Sequence, residues 1–371
     1  MRVSVVVPAF NHAHYIGDAL RSVLAQDVEG VEIIVVDDGS TDGTATIAEQ
    51  LLAQHSRPYR VIRGPHRGAP ATLNAALALA RAEYVSFLNS DDRYVPGRLA
   101  LLLEQAHQHE RRFLITRVRQ IDGAGNPLPL DAPHVEYYER SLNARALFPT
   151  SGFELLRHNY TITTGNFFLH RSLVEEVGPF GDHTLCHDWD YALRALLVEE
   201  ILPVDAVLYE YRVHSRNTLR PSLEELRYAE IDELVSAYLR RAESSSNPLA
   251  PSFKNWGGYW HYFARRELTH LAHLPRIARA LDDIARSSPA RSVFALGAVN
   301  EALLIEALAR TTQRIHSLEA DLAASLRRND PVRRARDDIF AKARSALKGV
   351  KTRLGRTRLL RRLRSKQVSP P

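Results

Sequence analysis

In Glu32-Ile33-Ile34-Val35-Val36-Asp37-Asp38-Gly39-Ser40-Thr41-Asp42 an unbroken apolar run stops at two adjacent carboxylates and a glycine turn. A β-branched run that does not alternate with polar residues is a strand buried on both faces, and such strands belong to parallel sheets covered by helices. Parallel sheets bind ligands beyond the carboxyl ends of their strands, so Asp37 and Asp38 stand where chemistry is expected. Capping of a following helix accounts for Ser40, Thr41 and Asp42, and less well for the acidic pair.

The same alternation recurs on both sides of this stretch. Val3 to Val7 is a strand closed by Pro8, and Ile16, Leu20, Val23 and Leu24 follow at helical spacing. Downstream, Tyr59 to Ile62 reads as a strand, Leu73, Ala76, Leu77 and Ala80 as a helix, and Tyr84 to Leu88 as a fourth strand. An α/β fold with a mostly parallel sheet follows. From residue 113 the rhythm loosens, with turns at Asp122-Gly123 and Gly125-Asn126-Pro127 and strands predicted at Thr161 to His170 and Val204 to Tyr211. Beyond Pro221 the pattern is helical almost throughout, with Ser244 to Pro248 as a hinge and Leu308, Ile315, Leu318, Leu322 and Leu326 in a near-heptad stripe.

The fourth strand also ends in acids, Leu88-Asn89-Ser90-Asp91-Asp92. Hard carboxylate oxygens suit Mg²⁺ or Mn²⁺, whose remaining positions take phosphates. One such pair is commonly a solvated turn before a helix, here the helix starting near Pro96; two pairs at successive strand ends favour a site. His187-Asp188-Trp189-Asp190 precedes Leu193, Leu196 and Leu197, which puts Asp188 in a first helical turn. There it can act as a general base or simply complement the helix dipole. Arg212 and His214, in Tyr211-Arg212-Val213-His214, suit a phosphate or a metal.

Composition narrows the class. Of 371 residues 45% are apolar, ample for a buried core, and the single Cys186 excludes a disulfide framework and Cys-rich zinc sites. No signal peptide or membrane span is legible, so a cytoplasmic location is expected. Residues 331–371 hold 14 Lys/Arg against Asp337 and Asp338, a net of +12, which leaves residues 1–330 at −6. Val332, Ala335, Ile339, Ala343, Ala346, Leu347, Val350 and Leu354 recur every three or four positions in this tail, the pattern of a basic amphipathic helix. With Phe340 its only aromatic, the tail suits an anionic membrane surface, through residues 331–366, better than nucleic acid.

Taken in order, these segments resemble a family 2 glycosyltransferase of the GT-A fold, inverting and of the bacterial surface-polysaccharide type. The resemblance runs from Val3 to about Asn217 and rests on Val5-Val6-Val7-Pro8-Ala9-Phe10-Asn11, Val35 to Asp42, Ala82 to Asp92, Gly165-Asn166-Phe167-Phe168, His187 to Asp190 and Tyr211 to His214. It implies a mixed, mostly parallel sheet flanked by helices and followed by a helical C-terminal region. It divides the chain into a nucleotide-sugar half (1–115), an acceptor half carrying the base (116–220), a helical region (221–330) and the basic tail (331–371).

By the same resemblance Pro8, Asp37 and Asp38 border the nucleotide pocket, with His214 near the donor diphosphate; Arg212 is counted among the donor-binding residues as a phosphate partner. Asp92 is the expected direct ligand of Mg²⁺ or Mn²⁺, with Asp91 a second metal candidate placed nearer the ribose and diphosphate of the donor, and Asp188 the catalytic base. The family's Ala-Arg-Asn run is replaced by Thr72-Leu73-Asn74, leaving Arg67 as the diphosphate partner, and His187 replaces a Glu. The implied reaction moves a sugar from a nucleotide-diphosphate donor to a saccharide or lipid-linked acceptor, on the inner face of the cell membrane. The alternatives are an inactive membrane-associated scaffold or nucleotide-sugar-binding protein of the same fold, and a nucleotidyltransferase. The last lacks its early Gly-rich phosphate loop, since Pro8-Ala9-Phe10-Asn11 stands there instead.

Overall fold

A computed structural model describes residues 1–215, 217 and 221–287. The Leu308 to Leu326 stripe and the basic tail therefore lie outside the described residues. In chain order the elements are β1 (Val3–Ala9), α1 (Ile16–Leu24), β2 (Val31–Asp37), α2 (Thr44–Leu52), β3 (Tyr59–Arg63), α3 (Ala69–Leu79), β4 (Tyr84–Phe87), β5 (Arg93–Tyr94) and α4 (Arg98–His109). Then come β6 (Phe113–Ile121), α5 (Pro133–Ala144), α6 (Ser151–Arg157), β7 (Phe168–His170), α7 (Arg171–Val177), α8 (His187–Leu196) and β8 (Leu202–Arg212). The helices α9 (Glu224–Arg241), α10 (Phe253–Trp256), α11 (Gly258–Arg266) and α12 (Pro275–Ser287) close the described chain.

All eight strands form one sheet, in the order β3-β2-β1-β4-β7-β6-β8-β5. The pairs β1–β2, β2–β3, β1–β4 and β6–β8 are parallel, whereas β4–β7, β7–β6 and β8–β5 are antiparallel. Two antiparallel steps through β7 restore the original direction, so β6 and β8 point the same way as β1, β2 and β4. The sheet is mixed and mostly parallel, as its apolar strands imply. It runs unbroken through residues 115 and 116, which lie inside β6.

The unbroken apolar character of β1 and β2 has a direct cause in the two cores. Val3, Val5 and Val7 pack with Ile16, Leu20 and Val23 of α1 and Leu99 and Leu102 of α4 on one face. Val6, Ile34 and Val36 pack on the other, with Leu73 and Ala76 of α3 and Leu193 and Leu196 of α8. Each such buried Val or Ile contributes about 1.5–3 kcal/mol relative to exposure. The second core continues into Ile231, Leu234 and Val235 of α9, Trp256, Trp260, and Ile277 of α12, so the helical region is built onto the sheet. Among the described residues no helix is long and apolar enough to cross a membrane.

Three expectations need correction. The strand predicted at Thr161 to His170 is a strand only at Phe168–His170; Thr164–Asn166 is a 3₁₀ turn. Its polar groups are spent elsewhere: Thr163 accepts from the Gly165 amide, and Asn166, fully buried, accepts from Thr116 N at 3.1 Å and donates to Thr116 O at 2.8 Å. The Asn166 amide thus does for β6 what a neighbouring peptide would, where β7 has ended and the β6–β8 register shifts. The second correction is β6 itself, which the sequence reading passes over because Arg117 and Arg119 interrupt its apolar run. Third, Ser244 to Pro248 breaks the helices without hanging free. Ser246 and Asn247 donate their backbone amides to Leu197 O, and the Asn247 side chain donates to Leu196 O.

Glu200 is buried beside this connector, accepting from Gly152 N and the side chains of Ser151 and Asn247. Burial pushes its carboxyl up to about 7 despite those donors. Replacing Asn166 by Ala strands the Thr116 amide and carbonyl, and is expected to lower unfolding free energy by about 2–4 kcal/mol in a denaturant titration. Between roughly pH 4.5 and 7 folded Glu200 holds a proton that the unfolded chain has released, so its contribution to stability is present at low pH and lost as pH rises through that window. Glu200→Gln should flatten this decline, by about 3 kcal/mol at pH 7 relative to pH 4.5, measured by unfolding at both ends.

Candidate active site

The loops following β1, β2, β4 and β8 meet along one edge of the sheet because those strands share a direction. At the β2 end, Asp37 accepts from Ser40 N at 3.1 Å through one oxygen, while its other oxygen is buried without a protein partner. A buried bare acceptor at that edge suits a hydroxyl or N–H donor on a ligand. Asp38 is differently used: its carboxylate accepts from the backbone amides of Arg67 at 2.7 Å and Gly68 at 2.9 Å, with His66 Nδ1 at 2.9 Å. It therefore holds the β3–α3 loop in place and has little left for a ligand. Gly39 is required at this approach, since it has φ +77° and a Cβ there would lie 2.8 Å from His66 N. Phe10 and His66 stack at 4.2 Å above this loop, both largely exposed, and the Arg67 side chain is exposed as well. Pro8 sits half-buried in β1, paired with Val36, and offers no polar group.

At the β4 end the two acids part. Asp92, almost wholly buried, turns inward: Oδ1 accepts from Arg212 N at 2.7 Å, and Oδ2 from Tyr209 Oη at 2.7 Å and Asn89 Nδ2 at 3.1 Å. Burial pushes its carboxyl well above the usual range, and the Asp91 charge adds to this. Tyr209 reaches Asp92 only because residue 165 is glycine; a Cβ on Gly165 would lie 1.8 Å from the Tyr209 hydroxyl. Asp91 faces the other way, with Oδ2 3.0 Å from His214 Nε2 and 3.8 Å from His12 Nε2. His12, Asp91 and His214 each offer one ligand atom, all within 4.8 Å of one another. The expected direct ligand, Asp92, is absent from this group because its oxygens already face protein donors.

Arg212 departs from its expected place too. Its guanidinium is buried, donating to the backbone carbonyls of Asp91, Asp122 and Gly123 and lying over the Tyr15 ring. It braces the loop that carries Asp91 rather than reaching into the cleft.

Asp188 lies in the first turn of α8 and is mostly buried, which raises its carboxyl; the His187 charge, the Trp189 amide and Asn159 oppose that rise. Oδ1 accepts from Trp189 N at 2.7 Å and Oδ2 from Asn159 Nδ2 at 3.1 Å. The Asn159 carbonyl is committed to Thr161, which fixes its amide toward Asp188. Just upstream, the Glu230 carboxylate on α9 accepts from the backbone amides of Thr184, Leu185 and Cys186 at 2.6–2.9 Å. The Tyr211 hydroxyl is raised by burial and by the charges of Asp92, Asp91 and Asp188, so the two acidic centres share one neighbourhood.

The sequence reading omits His12, Ser90, Asn159 and Tyr209. Only His12 carried a signal, an imidazole three residues past the end of β1. Asn159 and Tyr209 belong to the half whose pattern was loosest. Asn74, in the replaced Ala-Arg-Asn run, is structural, exchanging hydrogen bonds with the Phe180 backbone.

Residues 4–178 match the family described as Glycosyl transferase family 2. Over that span the chain is similar to the family 2 glycosyltransferases. An uncharacterized glycosyltransferase of Rickettsia typhi is 29% identical over 243 residues, covering 64% of this chain and 72% of that protein. The putative teichuronic acid biosynthesis glycosyltransferase TuaG of Bacillus subtilis is 36% identical over 142 residues, 38% of this chain and 56% of its own. Among solved structures, the mannosyltransferase PcManGT from Pyrobaculum calidifontis, in complex with GDP-Man and Mn²⁺, superposes with TM-score 0.51 at 19% identity, covering 94% of this chain and 87% of that one. That last likeness is one of fold. The sheet described here is GT-A-like.

The contrast between the two acids gives a direct check. Asp92→Ala removes the acceptor of three donors, two of them buried, and is expected to cost about 2–4 kcal/mol of stability. Asp91→Ala should lower the melting temperature much less in a parallel thermal scan.

Proposed function

We propose that this glycosyltransferase transfers a sugar from a nucleotide-diphosphate donor to a hydroxyl acceptor in one inverting displacement, with Asp188 as base. The observation that carries this reading is a pair of differently prepared carboxylates whose charges both act on the Tyr211 hydroxyl, Asp91 after β4 and Asp188 in the first turn of α8. Asp91 faces two imidazoles, and Asp188 is buried with an upshifted carboxyl. A carboxylate so raised is a stronger base once ionised, and its Asn159 contact orients it toward an incoming hydroxyl.

Asp91 and His214 are the residues we assign to a divalent cation, a donor set that suits Mn²⁺ and admits Mg²⁺. Mn²⁺ in the PcManGT complex is consistent with this. When bound, such an ion supplies positive charge opposite the leaving diphosphate. Asp37, with its bare buried oxygen, is proposed to take a donor hydroxyl or N–H of the nucleoside, with Pro8 and the Phe10–His66 pair beside it. Arg67, exposed at the loop held by Asp38, is free to approach the diphosphate. Arg212 would act through the Asp91 loop.

The name of TuaG supports a role in assembling surface polysaccharide. The +12 charge of residues 331–371 supports delivery to an anionic membrane surface where a lipid-linked acceptor would lie.

Asp188→Asn keeps the shape of the site while removing the base. Transfer measured as nucleoside diphosphate release with acceptor present should fall by roughly 10²- to 10⁴-fold. Nucleotide binding, followed by thermal shift, should persist, and the acid limb of the wild-type kcat/KM profile should lie above the ordinary carboxylate range. Retained transfer in the mutant would remove Asp188 from the mechanism.

A further inference from the structure

We infer that His12 is a third ligand at the Asp91–His214 cation site, and that its imidazole sets the choice of ion toward Mn²⁺ and other transition metals over Mg²⁺. The inference rests on the assignment of Asp91 and His214 made above and goes beyond it to a residue and a selectivity.

Distances come first. Two donors each about 2.1 Å from one ion lie roughly 2.9–4.2 Å apart, depending on the angle between them. The Asp91 Oδ2 separations from His214 Nε2, 3.0 Å, and from His12 Nε2, 3.8 Å, both fall inside that window. The three residues arrive on loops after three different strands, β1, β4 and β8. They converge because the sheet gathers those strand ends, and their spacing in sequence gives no hint of it.

The Ser90 contact allows the ring tautomer that ligation needs. His12 Nδ1 lies 2.8 Å from the buried Ser90 hydroxyl, an oxygen able to accept its proton. With Nδ1–H so engaged, the Nε2 lone pair faces Asp91, as in metal sites where a second contact fixes the tautomer of a ligating histidine. The His12 backbone amide donates to Thr44 Oγ1 at 2.9 Å, which anchors the loop independently of the ring.

Selectivity follows from the donor chemistry. Mg²⁺ prefers oxygen ligands in strict octahedral geometry and keeps its water, whereas imidazole suits later first-row metals. Two imidazoles and one carboxylate make a poorer Mg²⁺ site and a better Mn²⁺ site than carboxylates alone. His12 thus converts a generic acidic edge into one with a preference.

The full chain can be titrated with Mn²⁺ alone, following loss of the free-ion electron paramagnetic resonance signal, and then with Mg²⁺ as competitor. We expect His12→Ala to weaken Mn²⁺ binding about tenfold or more while Mg²⁺ affinity changes less, so the Mn²⁺/Mg²⁺ affinity ratio falls. His12→Asp should shift that ratio further toward Mg²⁺, and His14→Ala, which removes an exposed imidazole two residues away, should leave it unchanged. Circular dichroism melting of each metal-free variant separates loss of a ligand from loss of fold. If the ratio is the same in wild type and in both His12 variants while Asp91→Asn abolishes binding, His12 is only a partner of Ser90 and the inference fails alone. If Asp91→Asn also leaves Mn²⁺ binding intact, or wild type shows no saturable binding, the assignment of Asp91 and His214 fails with it.

Discussion

The buried carboxylate of Asp92 is the point on which the arrangement of the cleft depends. Its neighbours come from its own loop and from one strand remote in sequence: Asn89 beside it, and Tyr209 and the backbone of Arg212 near the end of β8. An acid so enclosed is costly to ionise, and only a full set of donors makes the burial tolerable. Those donors exist because the sheet passes from β4 through β7 and β6 to β8, returning to its first direction two strands later. Tying β8 to the β4 loop brings His214 to Asp91. Gly165 belongs to the same constraint, since any larger residue would displace the Tyr209 hydroxyl.

Around that tie, charged residues divide between support and exposure. Arg212 and Asp38 bond chiefly to backbone groups, fixing the Asp91 loop and the Arg67–Gly68 turn. Asp37 keeps one oxygen without a protein partner, Asp91 faces two imidazoles, and Asp188 accepts only from Trp189 N and Asn159. Adjacent residues thus behave oppositely. In both Asp-Asp pairs one member is a brace, the second at each strand end, and one is available.

That division explains what could be read from the sequence. The parallel core was legible because Val5, Val6, Val7, Ile33, Ile34, Val35 and Val36 are apolar on both faces, which only a covered sheet requires. Strand ends carrying Asp37, Asp38, Asp91 and Asp92 located the edge for the same reason. Which member of each pair faces the ligand was not legible, because one residue step reverses a side chain and the deciding partners, Tyr209 and the Gly68 amide, lie 30 to 117 residues away. The placement of Asp188 in a first helical turn followed from the spacing of Leu193, Leu196 and Leu197. The turn at Thr164–Asn166 stayed hidden because it depends on Asn166 standing in for a peptide group, a tertiary event with no local pattern, and β6 because Arg117 and Arg119 interrupt its apolar run.

Glu230 gives the helical region a meaning beyond packing. Three consecutive amides, Thr184 to Cys186, are gathered by one carboxylate on α9, and the next residue but one is Asp188. During synthesis the entire sheet emerges before Glu230 does, so the approach to α8 cannot take its final shape until the ribosome has moved well past the last strand. The helices after Pro221 are for this reason not an interchangeable appendage. A chimera that replaces them must still place a carboxylate where Glu230 stands, or the three amides lose their acceptor.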